Sequence, residues 1–235
     1  MAGDGDAVLG VDGCPGGWIG ALVRGRSVKW LLLPDAVAIL AVPARVIAID
    51  IPIGLPEPGA DFRRAADIAA REFLRPWAAS HSVFFTPVRR VVGAHPFALA
   101  NKLSRELTGK GLSVQTWNIC DRIASVDHAL GDSPDERVIE VHPEVSFRLL
   151  DTGINVSKKT ARGVGQRISA LGSFVNITAA LADVPLGPGL DDCLDACVAA
   201  WSAQRWMTGK AEVFGLDAGA RTATDGRGRP MRIIG

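Results

Sequence analysis

The chain has 235 residues, enough for one large domain or for one domain carrying an insertion. It is 48% hydrophobic and 22% charged, which suits a globular protein with a sizeable core. Its formal net charge of +1 gives no global argument for a nucleic-acid-coating or membrane-bound protein, so any anionic ligand must be recognised locally, and a nucleic-acid partner is neither supported nor excluded by charge. No apolar run reaches the roughly 18 residues of a membrane span. The opening MAGDGDA lacks the basic region and apolar run of a signal peptide. Cys14, Cys120, Cys193 and Cys197 show no metal-knuckle spacing, and a reduced, cytoplasmic setting is the simplest expectation.

The first informative stretch is VLGVDGCPGGW, residues 8–18. Val8, Leu9 and Val11 suit a buried strand, with Asp12 at its end and a glycine-rich turn behind it. A carboxylate there is costly unless a cation neutralises it. The alternative is a plain hairpin, because Asp-Gly is a common turn pair. Residues 18–23 and 27–33 read as two further strands joined through Arg24-Gly25-Arg26, which completes a three-stranded meander. Asp35 caps a short helix through Leu40. The apolar run RVIAI, residues 45–49, then ends at Asp50 and is followed by the proline-rich IDIPIGLPEPG. If the two strands are parallel neighbours, Asp12 and Asp50 converge at their carboxyl ends, where open α/β sheets gather ligands.

Residues 61–77 read as a helix with Phe62, Ala65, Ala66, Ala69 and Phe73 on one face. The loop HSVFFTPVRR follows, then helical patterns over 95–107 and 118–130. The block at about 61–130 is expected to be a helical insertion within a single domain spanning 1–235. Its arginines, Arg89 and Arg90 among them, belong either to solvated helix faces or to a surface that contacts phosphates. The sheet resumes at RVIEVH, residues 137–142, with Glu140 inside it, and PEVSFRLL carries Glu144 on a short helix. Glu144 is either an outer ligand or general base, or fixes the strand-to-helix turn together with His142. In NVSKKTARGVGQR, Ser157 to Thr160 either cap the next helix or present Lys158 and Lys159 to phosphates.

The last informative stretch is GLDDCLDACVAAWSAQRW, residues 189–206. Leu190, Leu194, Cys197 or Val198, and Trp201 give a helical apolar period, and Ala196, Ala199 and Ala200 allow close packing on the sheet. Asp192 and Asp195 project on one side. Acidic residues at a helix start favour the macrodipole. That accounts for Asp191 and Asp192 better than for Asp195, which falls on a packing face. The tail DGRGRPMRIIG reads as a turn and a final short strand.

Asp12, Asp50, Asp192 and Asp195 are thus four carboxylates from distant parts of the chain, a hard-oxygen set suited to Mg²⁺ or Mn²⁺. Two such ions about 3.5–4 Å apart can activate water and stabilise a leaving oxygen. The order GVDGCPGGW, IDIPIGLP, EVHPEVSF, DDCLDACVAAW resembles the DUF429 family, described as predicted RNase H-like nucleases, over nearly the whole chain. The resemblance implies an α/β, RNase H-like fold: a five-stranded mixed sheet, antiparallel meander first and parallel strands after it, with helices on both faces. Asp192-x-x-Asp195-Ala196 also resembles the acidic helix of Holliday-junction resolvases. By this resemblance Asp12 and Asp50 are the central ligands and the helix aspartates complete the site. RNase H carries a further glutamate on its first helix, which PDAVAIL lacks, and Glu140 is the residue that could compensate.

The leading expectation is a metal-dependent nuclease using two ions, with Asp12 bridging them. Its partner would be DNA or RNA, structured or branched, and Arg89, Arg90, Lys158 and Lys159 would be the phosphate contacts. A homodimer would suit a symmetric branched substrate. Two other classes compete. A non-catalytic binding or scaffold module would keep the fold and weak metal affinity. An actin- or sugar-kinase-type phosphotransferase would need a second glycine-rich phosphate turn, for which residues 215–219 are a poor candidate.

Overall fold

A computed structural model describes residues 7–235. The first six residues, on which most of the signal-peptide reading falls, lie outside them. In chain order the early elements are β1 (Val8–Cys14), β2 (Gly17–Arg24), β3 (Ser27–Leu33), α1 (Ala36–Leu40), β4 (Val46–Ile49), α2 (Ala65–Phe73), α3 (Arg89–Val92), α4 (Phe97–Thr108) and α5 (Val114–Leu130). Then come β5 (Val138–Glu140), α6 (Pro143–Leu150), α7 (Ala161–Leu171), α8 (Ile177–Ala182), α9 (Leu190–Met207), β6 (Val213–Phe214) and β7 (Ile233–Ile234). The chain forms two compact units. One takes residues up to 50, 136–212 and 234–235; the other takes 51–135 and 213–233.

The first unit is built on a five-stranded sheet in the order β3-β2-β1-β4-β5. The meander β1-β2-β3 is antiparallel, and β4 and β5 join β1 in parallel. This is the mixed sheet that the RNase H-like resemblance implies. Both readings of the first stretch hold together. β1 runs on past Asp12 and pairs Cys14 with Gly17 across a turn in which Gly16 has φ +81°. On its other edge β1 pairs with β4 only as far as Val11 and Ile49.

α9 lies on one face of the sheet, against β1, β2 and β4. The approach depends on Gly10: a Cβ there would stand 2.1 Å from both the Ala196 carbonyl oxygen and the Ala200 amide nitrogen. The alanines at 196, 199 and 200 are wholly buried, and so are Leu9, Val11, Ile47 and Ile49 on the opposite face. Leu190, expected on the apolar stripe of α9, is instead 44% exposed, because the helix begins beyond the sheet. Behind α9 stands α6, joined to it by a buried Ser202–Ser146 hydroxyl bond of 2.8 Å. The Trp30 indole of β3 donates to the Ala180 carbonyl at the end of α8, at 2.7 Å.

In the second unit the helices start and stop elsewhere than hydrophobic period alone predicts. The helix expected over 61–77 is α2 followed by a 3-10 turn, Arg75–Trp77. Arg64 is extended, and Pro76 has no amide hydrogen with which to continue the helix. α4 begins after an extended Pro96 and not at residue 95. α5 begins four residues earlier than the expected 118, since the Ser113 hydroxyl accepts from the Thr116 amide at 3.0 Å.

Candidate active site

Asp12 and Asp50 each follow the last parallel pair, Val11 with Ile49, and the Asp50 amide donates to the Val11 carbonyl at 3.0 Å. This register sets the two aspartates side by side. The pleat turns both toward the face on which Gly10 meets α9. Asp195 comes from α9, one residue before the Ala196 that Gly10 admits, and is 3% exposed. Asp12 and Asp50 are each half-buried and keep partial contact with solvent.

Three carboxylates gathered this way resist ionisation. Burial pushes Asp195 up to about 7; Asp50 and Glu144 add to the effect, while Lys158 opposes it. Burial likewise raises Asp50 to about 7, against the pull of Lys158 and with the further push of Glu140. Asp12 is also raised, first by burial and then by the charges of Asp50 and Asp195. Asp12 and Asp50 stand close enough for their side chains to act on each other directly.

The cation set among them is Lys158, whose Nζ donates to Asp195 Oδ2 at 2.6 Å. Burial alone would lower its pKa, but Asp195, Asp12 and Asp191 raise it instead. The loop that carries Lys158 is tied down. Thr160 caps α7 through the Gly163 amide at 3.0 Å, and the Ser157 carbonyl accepts from the Thr160 hydroxyl at 2.9 Å. Gly163 leaves room for this loop, because a Cβ there would lie 2.0 Å from the Ser157 oxygen. Of the two roles open to residues 157–160, Thr160 thus takes the capping one. Lys159 is exposed.

Glu144, on the first turn of α6, accepts from Arg167 at 2.7 and 3.0 Å and pairs with Arg148 at 3.2 Å. Both guanidinium groups are buried. Arg167 also donates to the Val156 carbonyl at 3.2 Å, which links Glu144 to the Lys158 loop. These two arginines escaped the sequence reading. The i,i+4 spacing of Glu144 and Arg148 was the available signal; for Arg167 there was none. Glu140 pairs in register with Ile49, so the pleat places it on the face away from Asp12 and Asp50. Asp192 accepts from the Gly189 amide at 2.9 Å and so closes the start of α9.

Arg89 belongs to the second unit, where it pairs with Asp127 and, at 2.5 Å, with Asp225. Arg90 is exposed. The same unit holds a cavity of about 460 Å³. Arg63, Arg71, His81, Lys110, Phe84 and Phe85 are among the residues lining it, and no carboxylate is. Asp217 accepts from the Gly219 amide at 2.8 Å, so its own carboxylate fills the turn at 215–219.

Two observations test the fit of a divalent cation. The donor set is hard oxygen with excess negative charge, and Asp195 Oδ1 is buried with no hydrogen-bond partner. As the side chains stand, no three His, Cys, Asp or Glu groups among the described residues close around one ion. The residues therefore fit a cation in chemistry, and side-chain adjustment beside Lys158 is needed to bind one. All four cysteines are buried, and none of them is in a disulfide. No helix among the described residues is long and apolar enough to cross a membrane.

A family model described as "Protein of unknown function (DUF429)" matches residues 10–219, a span that includes every carboxylate of the cluster. No curated protein and no solved structure matches the chain.

Proposed function

The chain belongs to the DUF429 family, and from that premise we propose that it is a metal-dependent nuclease, hydrolysing phosphodiester bonds with Mg²⁺ or Mn²⁺. The observation that carries this reading is the triad Asp12, Asp50 and Asp195, drawn from the end of the β1–β4 pairing and from a helix. One lysine faces all three, and one oxygen, Asp195 Oδ1, has no partner.

Asp12, Asp50 and Asp195 would hold the ion. A bound divalent cation would neutralise the carboxylates and polarise a phosphate oxygen. The chain supplies the rest. The register of β1 on β4 fixes Asp12 beside Asp50, and the Gly10 contact fixes the depth of Asp195. Arg167 and Thr160 hold the loop of Lys158, whose side chain is 34% exposed and so accessible from solvent. Arg89 is engaged with two aspartates of its own unit, so it is not held in reserve as a phosphate contact.

One observation favours the competing, non-catalytic reading: Asp195 already has its cation in Lys158, and no three ligands among the described residues close on one point. A cleavage assay separates the two readings. Single-stranded, duplex and four-way-junction DNA and RNA are incubated with Mg²⁺, Mn²⁺ or chelator. Cleavage that needs the metal and is lost in Asp12→Asn, with that variant folded, supports the nuclease. Full activity in Asp12→Asn sinks the mechanism, and no cleavage of any substrate favours the binding module.

A further inference from the structure

Several basic side chains of the second unit pair with carboxylates of the same unit: Arg64 with Asp67, Arg75 with Glu72, Lys102 with Glu106 and Arg229 with Asp127. Arg63, Arg71 and Lys110 form no such pair among the described residues. All three line the cavity of about 460 Å³, together with His81, and no carboxylate lines it. The cavity lies wholly within the second unit, so what it does is independent of how the aspartates of the first unit are read.

One ring positions two of these charges. The guanidinium carbons of Arg63 and Arg71 lie 5.5 and 4.9 Å from the centre of the Phe85 ring. Arg71 also donates to the Val83 carbonyl at 2.5 Å. Two like charges held to one ring repel each other, and a cleft lined by one sign of charge concentrates its field on an anion. Phe62 and Phe84 join Phe85 in the lining, and all three are half-buried. The hydroxyls of the lining are used within the protein. Ser104 donates to the Lys110 carbonyl at 2.8 Å, Thr108 donates to the Ser104 carbonyl at 2.7 Å, and the Ser113 and Thr116 hydroxyls bond each other at 2.8 Å. The side-chain donors left to a ligand are chiefly the basic ones. A neutral sugar would find few partners here, whereas a flat ring carrying an anionic group matches both the charge and the walls.

We propose that this cavity binds a nucleotide, its phosphate met by Arg63, Arg71 and Lys110 and its base stacked among the phenylalanines. A phosphate monoester carries about two negative charges at neutral pH, so three cations suit it better than they suit a single carboxylate. Arginine also offers phosphate a bidentate fork. The volume falls within the roughly 300–1,000 Å³ usual for small-molecule sites, and any nucleobase can stack on an aromatic side chain. A free mononucleotide and the phosphorylated end of a single strand present the same chemistry.

The test is calorimetric titration of adenosine 5′-monophosphate, in chelator, into wild type, Arg63→Gln, Lys110→Gln and Asp12→Asn. Arg63 and Lys110 are exposed, so their variants should keep the fold, which circular dichroism checks. Wild type and Asp12→Asn should bind alike, and each glutamine variant should bind roughly tenfold more weakly. Adenosine and inorganic phosphate, each half of the ligand, should also bind wild type roughly tenfold or more below the nucleotide. No binding of the nucleotide, equal binding by wild type and both glutamine variants, or loss of binding in Asp12→Asn would overturn the proposal. Inorganic phosphate binding as tightly as the nucleotide would overturn it too, leaving a simple anion site. A 5′-phosphorylated adenylate tetramer, titrated alongside, assigns the source: tighter binding that both glutamine variants weaken points to a strand end, and weaker binding to the free nucleotide. Chelator keeps divalent metal out of the experiment, so its failure is distinct from failure of the nuclease reading.

Discussion

Replacing Asp50 with asparagine should stabilise the metal-free protein above neutral pH and have little effect in acid. Burial, then the charge of Glu140, moves the Asp50 carboxyl from an ordinary 3.8 to about 7, against the opposing pull of Lys158. A folded-state pKa above the unfolded one means that the folded protein holds the proton more tightly. The stability present below about pH 4 is therefore lost as pH rises to about 7. Each unit is worth about 1.4 kcal/mol, so a group titrating alone would lose on the order of 4 kcal/mol. Asp50 titrates together with Asp12, which spreads the effect over both groups, and the expected gain for Asp50→Asn at pH 8 is roughly 2–4 kcal/mol. The amide can also donate to the Asp12 carboxylate. For a chain of this size the gain corresponds to a Tm rise of roughly 5–15 °C. Thermal unfolding in chelator, at pH 4 and pH 8 and fixed ionic strength, reads it directly. An unchanged or lower Tm at pH 8 would refute the view that these carboxylates are held together at a cost.

Gly10→Ala should fail at the closest contact in the first unit. Its Cβ would lie 2.1 Å from backbone atoms of α9, where ordinary contact begins at 3.4 Å. Overpacking of this kind costs about 1–3 kcal/mol or more, so thermal unfolding should drop clearly, and a Tm equal to wild type would contradict the close packing. Arg167→Met removes a buried partner of Glu144 and an anchor of the Lys158 loop. Denaturant unfolding should show a loss of roughly 3–5 kcal/mol, and a loss below about 1 kcal/mol would mean that Arg148 alone suffices for Glu144.

The parts of the fold that lie in local pattern were legible in the sequence. β1 and β4 begin as short apolar runs, and the aspartate after each run is plain in the letters; that the two strands pair in parallel is not. The alanines of α9 announced a helix pressed on the sheet; Gly10 was its unrecognised counterpart, since nothing local marks which strand residue a helix will meet. Helix starts were misjudged where a single residue overrides the period, as Ser113 and Pro96 do. At the site, Asp12, Asp50 and Asp195 could be named because their positions are costly without a purpose. The bonds that specialise them could not. Lys158 reaches Asp195 across 37 residues and Arg167 reaches Glu144 across 23, and no spacing encodes either. Asp192 is matched with Asp195 by helical period, yet a backbone amide one turn earlier claims it.

The most direct test of the account is calorimetric titration of Mn²⁺ into wild type and Asp12→Asn at neutral pH, with and without a model DNA. The account predicts binding at millimolar affinity or better, tightened by DNA and lost in Asp12→Asn. No binding to wild type in either condition would contradict it, and would leave three aspartates and a lysine as an internal charge cluster of the fold.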